Sequence, residues 1–276
     1  MKRVNAFLFG FLFTMCILII STLFFVYITA PERYTILFVG SDQRGTERAR
    51  SDVLFLLSIP KNPKQPIFLL SIPRDTKIDD QEWGLQKITH FYAFGERPDD
   101  GKELGNIELT QQQVETLISM HIDTTVEVTF RSFEEIVNNL GGTTVDGTTT
   151  NGAAALAIIR DRFTNGRSDF NRQADEREVL RSLVMKAVTP TKMRMLLQYF
   201  EDSNQARLRY SQLQSIRFAV GAGIARNGHF STGDIVEASV PGASGKIYTP
   251  AFGKELYYWI PDTEALSKLV NEHMTK

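Results

Sequence analysis

Hydrophobic positions divide the chain into one long uncharged run, residues 6–30, and a series of short ones. The short runs at 35–39, 53–59 and 67–72 are rich in Ile, Leu, Val and Phe and have the length of buried strands. Between the last two lies KNPKQP, a Lys- and Pro-rich turn that predicts an antiparallel pair. From 83 to 105 periodicity is lost, which predicts a loop or lid carrying Lys87, His90, Phe91, Tyr92 and Phe94. Thr110 and Gln113 have the spacing of a capping box ahead of the apolar stripe Val114, Leu117 and Ile118. A strand at 126–130 follows, then a helix opened by Ser132 and Glu135 and stopped by Gly141 and Gly142. Residues 153–159 form a third helical segment that ends toward Arg160 and Arg162, and Val179, Leu183 and Val184 mark the next. The pattern weakens over 191–230, where helical pieces are expected at 193–200 and 210–219. Short strands at 234–240, 246–248 and 256–260 precede a final helix capped by Asp262. With no Ser- or Gly-rich linker in this alternation, the expectation is one α/β domain, a central mixed β-sheet flanked by helices on both faces.

The long run changes the setting of that domain. At ~1.5 Å per residue it spans a hydrocarbon layer of ~30 Å, and it exceeds the usual signal-peptide apolar region of about 7 to 15 residues. A retained transmembrane anchor is therefore expected over 1–30, with 31–276 as an extracellular domain. Lys2 and Arg3 hold the short N-terminus in the cytoplasm, and a long domain can translocate even though Arg33, Arg44, Arg48 and Arg50 follow the span. Only a few residues separate the anchor from the first strand. That proximity favours a substrate that is itself in the membrane.

Composition removes several alternatives. A net charge of −1 gives no electrostatic case for nucleic acid. Cys16 is the only cysteine, so no intrachain disulfide or cysteine-based zinc site is available. His90, His121, His229 and His273 show no close ligand spacing.

The candidate chemistry lies at the ends of the apolar runs, where Asp42, Arg50, Asp52, Arg74 and Asp75 sit. An antiparallel turn would bring these ends to one sheet edge. Carboxylates mixed with guanidinium groups suit a metal-bound phosphate, since Mg²⁺ takes hard oxygen ligands and Arg forks onto phosphoryl oxygens. Asp42 and Asp52 are the candidate ligands of that ion, whose charge offsets their repulsion. Arg50 and Arg74 are the candidate phosphate grips. Lys87, Arg160, Arg162 and Arg172 extend the basic set beyond the needs of one phosphate and toward a pyrophosphate.

GSDQR at 40–44, RSD at 50–52, LLSIPRD at 69–75, KITHFYAFG at 87–95, VEVTFRSFEEIVNNLGG at 126–142, NGAAALAIIRDR at 151–162 and SDFNRQ at 168–173 resemble the LytR-CpsA-Psr family. The resemblance covers a core of about 34–188, with weaker similarity in GKIY and YYWIPD. It implies a membrane-anchored enzyme of a Gram-positive type of envelope that uses Mg²⁺, with Mn²⁺ as the alternative. The implied reaction moves a glycopolymer, such as a teichoic acid or capsular polysaccharide, from an undecaprenyl pyrophosphate carrier to a peptidoglycan acceptor through a phosphodiester link. By the same resemblance Asp42 and Asp52 hold the metal, while Arg50, Arg74, Lys87, Arg160, Arg162 and Arg172 bind pyrophosphate. Catalysis is implied for Arg74, Asp75, Arg160 and Arg162, with Asp75 either orienting Arg74 or accepting the proton of the incoming hydroxyl. Phe91, Tyr92 and Phe94, with the 114–118 helix, are candidates for an apolar channel around the lipid. Two positions depart from the family pattern: Thr89 stands in place of asparagine, and Asp175 puts negative charge where a further phosphate grip is expected. A lipid-pyrophosphate hydrolase and a non-catalytic wall-attachment or regulatory protein are the alternative readings.

Overall fold

A computed structural model describes residues 2–42, 50–94, 105–145, 147–160, 169–187, 190–202, 206–225 and 235–275. Helix α1 (Lys2–Thr29) contains an exposed stretch, Phe11–Thr29, long and apolar enough to cross a membrane. Its last carbonyls meet cations from the domain. Lys61 reaches the carbonyls of Tyr27 and Ala30 at 3.4 and 3.5 Å, and Arg217 donates to Thr29. Positive charge at a helix C-terminus satisfies orphan carbonyls and complements the dipole, so the apolar helix is seated on the domain.

Strand β1 (Arg33–Ser41) pairs antiparallel with β2 (Ser51–Pro60), which pairs antiparallel with β3 (Ile67–Ile72). The KNPKQP turn thus does what its Pro and Lys content predicted. After β3 a small hairpin, β4 (Lys77–Asp80) with β5 (Gly84–Lys87), leads into a 3-10 turn over Ile88–Ala93 and then α2 (Ile107–Ile118). Strand β6 (Thr124–Thr129), α3 (Phe130–Asn139), the β7 (Thr143–Val145) and β8 (Thr148–Thr150) hairpin, and α4 (Gly152–Arg160) follow. Next come α5 (Asp169–Ala187), α6 (Pro190–Asp202), β9 (Ala206–Tyr210), α7 (Gln212–Ala225) and β10 (Ile235–Ser239). A second hairpin, β11 (Gly242–Thr249) with β12 (Lys254–Pro261), precedes α8 (Thr263–His273).

Among the described residues the main sheet has the order β10-β3-β2-β1-β6-β9. It is mixed: β1 runs parallel to β6 and β3 parallel to β10, while the other neighbours are antiparallel. Strand alternation sends Leu37, Val39, Leu54, Leu56, Phe68 and Leu70 to one face, against the 3-10 turn, α2 and α8. Phe55, Leu57, Ile67 and Leu69 go to the other, against Leu180 and Val184 of α5. Both faces are therefore covered by helices, as expected from the alternation of elements.

Several local expectations are corrected. Helix α2 begins at Ile107, capped by the Asn106 side chain, which accepts from the amide of Leu109, so Thr110 lies inside the first turns rather than at the cap. Thr129 caps α3, and its capping box is closed by Ser132, so that helix opens earlier than Ser132 and Glu135 indicated. An Asn or Thr whose backbone stays extended outcompetes a later hydroxyl because the chain has already turned helical there. The C-terminal end of α3 is as expected: Gly141 and Gly142 both have φ of 85°, a conformation costly for residues with a side chain. The stretch from 83 to 94 is no lid. Gly84–Lys87 pairs as a strand, and Ile88, Phe91 and Tyr92 are wholly buried. Phe91 and Tyr92 fill core volume instead of lining an open channel, as do Val114 and Ile118, while Phe94 is half-buried against Trp83. Residues 95–104 of the expected loop lie outside the described residues. Strand β9 was not foreseen, because ARLRY alternates on an edge strand with too few apolar positions to stand out.

Candidate functional site

The C-terminal ends of β1 and β3 and the N-terminal end of β2 meet at one sheet edge, far from the α1 junction. A bulge between Gly40 and Ser41 shifts the register just before Asp42 and re-aims the chain out of the ladder. A Cβ on Gly40 would lie 3.0 Å from Val53 Cβ, so close strand approach favours glycine there. Asp42 then accepts the Arg50 amide on Oδ1 at 2.9 Å, while its own amide donates to the Arg50 carbonyl at 3.3 Å. These bonds clamp the two strand ends together.

The turn after β3 is held more completely. Thr76 donates its amide to the Pro73 carbonyl at 2.9 Å, which places Arg74 and Asp75 at the corner. The carbonyls of Arg74, Asp75 and Thr76 accept from the amides of Thr89, Trp259 and Ile88 at 3.2, 2.9 and 2.9 Å. With three consecutive carbonyls engaged by two other segments, the two side chains start from a fixed backbone. Arg74 Nη1 donates to Asp52 Oδ1 at 2.9 Å, and its Nε lies 3.8 Å from Asp75 Oδ2. Lys87 Nζ donates to Asp75 Oδ1 at 2.6 Å. The result is an alternating chain, Asp52, Arg74, Asp75, Lys87, of partly buried charges along one edge.

His90 completes this side. Its Nδ1 faces the Gln86 carbonyl-type oxygen at 2.8 Å, an acceptor that fixes the proton on Nδ1. Burial, reinforced by the positive charges of Arg50 and Lys87 and opposed by Asp75, pushes His90 down to about 4, so the ring is neutral at pH 7. Thr89 supplies a tie that asparagine would supply differently: its hydroxyl donates to the Ser51 carbonyl at 2.8 Å, while its amide holds Arg74. Behind the edge, Tyr92 donates to the wholly buried Glu127 of β6, and burial with that neighbouring carboxylate pushes the phenol well above its ordinary range.

The structure thus brings together Asp42, Arg50, Asp52, Arg74 and Asp75, as the antiparallel turn required, and the β4–β5 hairpin adds Lys87. Arg160 closes α4 and Arg172 lies near the start of α5, but their side chains, like the whole of Arg162, lie outside the described residues. The Asp175 side chain falls outside in the same way. Trp259 and Tyr258 were missed as contributors to the site. Trp259 holds Asp75, and the Lys87 ammonium lies 5.7 Å from the Tyr258 ring centre. The only available signal was the aromatic run YYWIPD, which gives no hint of its distant partner.

The described residues contain no group of three or more His, Cys, Asp or Glu that would cage a metal. Asp42 and Asp52 nevertheless fit a hard cation of the Mg²⁺ type, which keeps waters and substrate phosphates in its shell and needs only one or two carboxylates. Among the described residues, the Ser51 hydroxyl is buried beside them with no hydrogen-bond partner, a polar atom suited to a water or phosphate oxygen.

Fold and site define an α/β protein built to handle a phosphorylated anion at a sheet edge, carried on an apolar helix. The chain belongs to the LytR-CpsA-Psr family, whose pattern matches residues 25–151. It is 28% identical over 266 residues to the polyisoprenyl-teichoic acid–peptidoglycan teichoic acid transferase TagU of Bacillus subtilis (strain 168), covering 90% of this chain and 79% of that one. Against TagU of Oceanobacillus iheyensis it is 31% identical over 203 residues, 67% of this chain and 62% of the relative. The fold is shared with the crystal structure of B. subtilis TagV, at a TM-score of 0.64 and 23% identity over 89% of this chain and 98% of that one. TagT bound to LIIa-WTA gives a TM-score of 0.62 and 23% identity over 87% and 89% of the two chains. Membrane association follows from the apolar α1 helix and this relationship.

Proposed function

We propose that this protein transfers a glycopolymer from a polyprenyl pyrophosphate-linked precursor to peptidoglycan, forming a phosphodiester bond. The observation that carries the reading is the alternating Asp52, Arg74, Asp75, Lys87 chain, which presents guanidinium and ammonium groups from a rigid turn at the sheet edge. In this reading an acceptor hydroxyl attacks the phosphorus nearest the glycopolymer. A new P–O bond forms, the bond to the bridging oxygen breaks, and the lipid monophosphate leaves while the hydroxyl proton passes to solvent. Arg50, Arg74 and Lys87 neutralise charge on the bridging and equatorial oxygens, the main source of catalysis in phosphoryl transfer. Asp75 has one oxygen on Lys87 and the other toward Arg74, which supports an orienting role over a proton-accepting one. Asp42 and Asp52 would hold Mg²⁺ or Mn²⁺, which supplies further neutralisation of the pyrophosphate when bound. Arg160, Arg162 and Arg172 belong to the pyrophosphate grip by family resemblance.

In the same reading the short N-terminus with Lys2 and Arg3 stays in the cytoplasm, residues 1–30 anchor the chain and residues 31–276 form the extracellular catalytic domain. The charge before the apolar span supports this orientation. The reaction is tested with the full-length protein, Mg²⁺, a labelled lipid-linked saccharide and peptidoglycan strands. Label is expected in covalent peptidoglycan product. Label released only as free saccharide phosphate would replace the transferase by a hydrolase, and binding with neither product would make it an attachment protein.

A further inference from the structure

We propose that the exposed aromatic face of the β11–β12 hairpin is the docking surface for the acceptor glycan strand of peptidoglycan. This rests on the transferase reading above and names how its second substrate is held. Outside α1, the described residues with large exposed hydrophobic side chains are Met185, Tyr248, Phe252, Tyr257 and Ile260, and all but Met185 lie on this hairpin. Tyr248 pairs with Glu255 and Tyr257 with Lys246, so the two tyrosines and these two charged residues share one face, whereas Ile260 lies on the other with Tyr258. The opposite face buries Tyr258, whose hydroxyl bonds with Thr249 at 2.9 Å and whose ring receives Lys87. One side of the hairpin is thus seated on the domain, and the other offers two tyrosine rings.

The hairpin is anchored next to the site. The Trp259 amide donates to the Asp75 carbonyl at 2.9 Å, Tyr258 lies beside Lys87, and the Phe252 ring at the hairpin tip is 5.8 Å from that of His90. The element that carries the two tyrosines is therefore held beside the reacting edge. The chemistry of its ligand follows from the lining. A pyranose ring carries an apolar C–H face that stacks on the electron-rich face of an aromatic ring, while its hydroxyls need donors and acceptors such as Lys246 and Glu255. Diagonal neighbours on a sheet stand ~7–8 Å apart, so Tyr248 and Tyr257 can face different sugars of one strand.

Direction distinguishes the acceptor from the donor and from the bilayer. Strand β1 starts next to the end of α1 and finishes at the site, and its 9 residues separate the two by roughly 26 Å at the usual strand rise. The hairpin lies at the distal end. Phosphoryl transfer places the attacking and leaving oxygens in line. The lipid phosphate leaves toward the membrane, so the acceptor hydroxyl enters from the side on which the hairpin stands.

The test uses the full-length protein in nanodiscs with Mg²⁺, the labelled lipid-linked donor and uncross-linked peptidoglycan glycan strands. Tyr248→Ala and Tyr257→Ala should each raise the acceptor KM about three- to tenfold, the range expected for losing one aromatic contact, without raising the donor KM. Tyr257→Phe should retain acceptor affinity, because the ring face carries the contact. An unchanged acceptor KM in both alanine variants, or a rise in donor KM instead, would overturn the assignment. A second readout is independent of transfer. In a Trp83→Phe background Trp259 is the only tryptophan, and glycan strands alone should change its fluorescence in a manner abolished by the tyrosine variants. That response without any transfer would retain the docking surface and remove the transferase reading. Quenching of Trp259 by brominated lipid in the nanodisc would place the hairpin on the bilayer and overturn the proposal.

Discussion

Arg74 Nη1 donates to Asp52 Oδ1 at 2.9 Å and joins the turn after β3 to the first residues of β2. Asp52 is also a candidate metal ligand, so one carboxylate couples the guanidinium to the ion proposed beside it. The arrangement favours Arg over Lys because a planar fork keeps one N–H on the carboxylate while others face a phosphate. Arg74→Lys should bind the anionic head group but lose about 10²-fold in transfer rate, on the scale of removing one preorganised donor. Single-turnover transfer with labelled donor measures this. Wild-type rates in the lysine variant would reject the directed contact.

Asp52→Ala removes a candidate metal ligand and leaves Arg74 without its partner. Calorimetry with a prenyl pyrophosphate should show Mg²⁺-dependent binding in the wild type and little Mg²⁺ dependence in the variant. Chelation of the wild type should mimic the substitution. Equal Mg²⁺ dependence in a folded Asp52→Ala protein would remove Asp52 from the metal shell.

Acidification should weaken the fold through His90. Its folded value is lowered to about 4 from an ordinary 6.5, so the unfolded chain binds a proton that the folded one excludes between those values. Stability from this group is fully present above pH 6.5 and is lost as pH falls toward 4, by about 3 kcal/mol at 1.36 kcal/mol per unit. Urea unfolding at pH 7 and pH 5 should show the loss. His90→Gln should flatten that slope, and an identical slope in the variant would assign it to other groups.

Tyr92→Phe should destabilise the domain by about 1–3 kcal/mol, since it removes a donor from the wholly buried Glu127 while conserving the ring that packs in the core. Thermal unfolding reports the change. No shift in midpoint would mean that Glu127 is satisfied without the phenol.

Protease added to intact, wall-stripped cells should digest the 31–276 domain. Protection under conditions that digest a known external marker would reverse the proposed orientation.

Apolar run length and alternation were enough to identify β1, β2 and β3, the helices on both faces and the membrane-length α1, because burial imposes periods of two and 3.6 that survive in the chain itself. The gathering of Asp42, Arg50, Asp52, Arg74 and Asp75 was legible for the same reason: one proline- and lysine-rich turn makes β2 and β3 antiparallel, and antiparallel strands return their ends to a common edge. Local caps were less legible, since Asn106 and Thr129 win over later hydroxyls only once the entry angle of each helix is set by packing. Tertiary structure alone decided that Lys87 holds Asp75, that Thr89 ties Ser51 to Arg74, and that Trp259 secures the Arg74–Asp75 turn from more than 180 positions away. Those contacts depend on how a separate hairpin seats against the sheet edge. Periodicity records which face of an element is buried, but it carries no information about which distant element covers it.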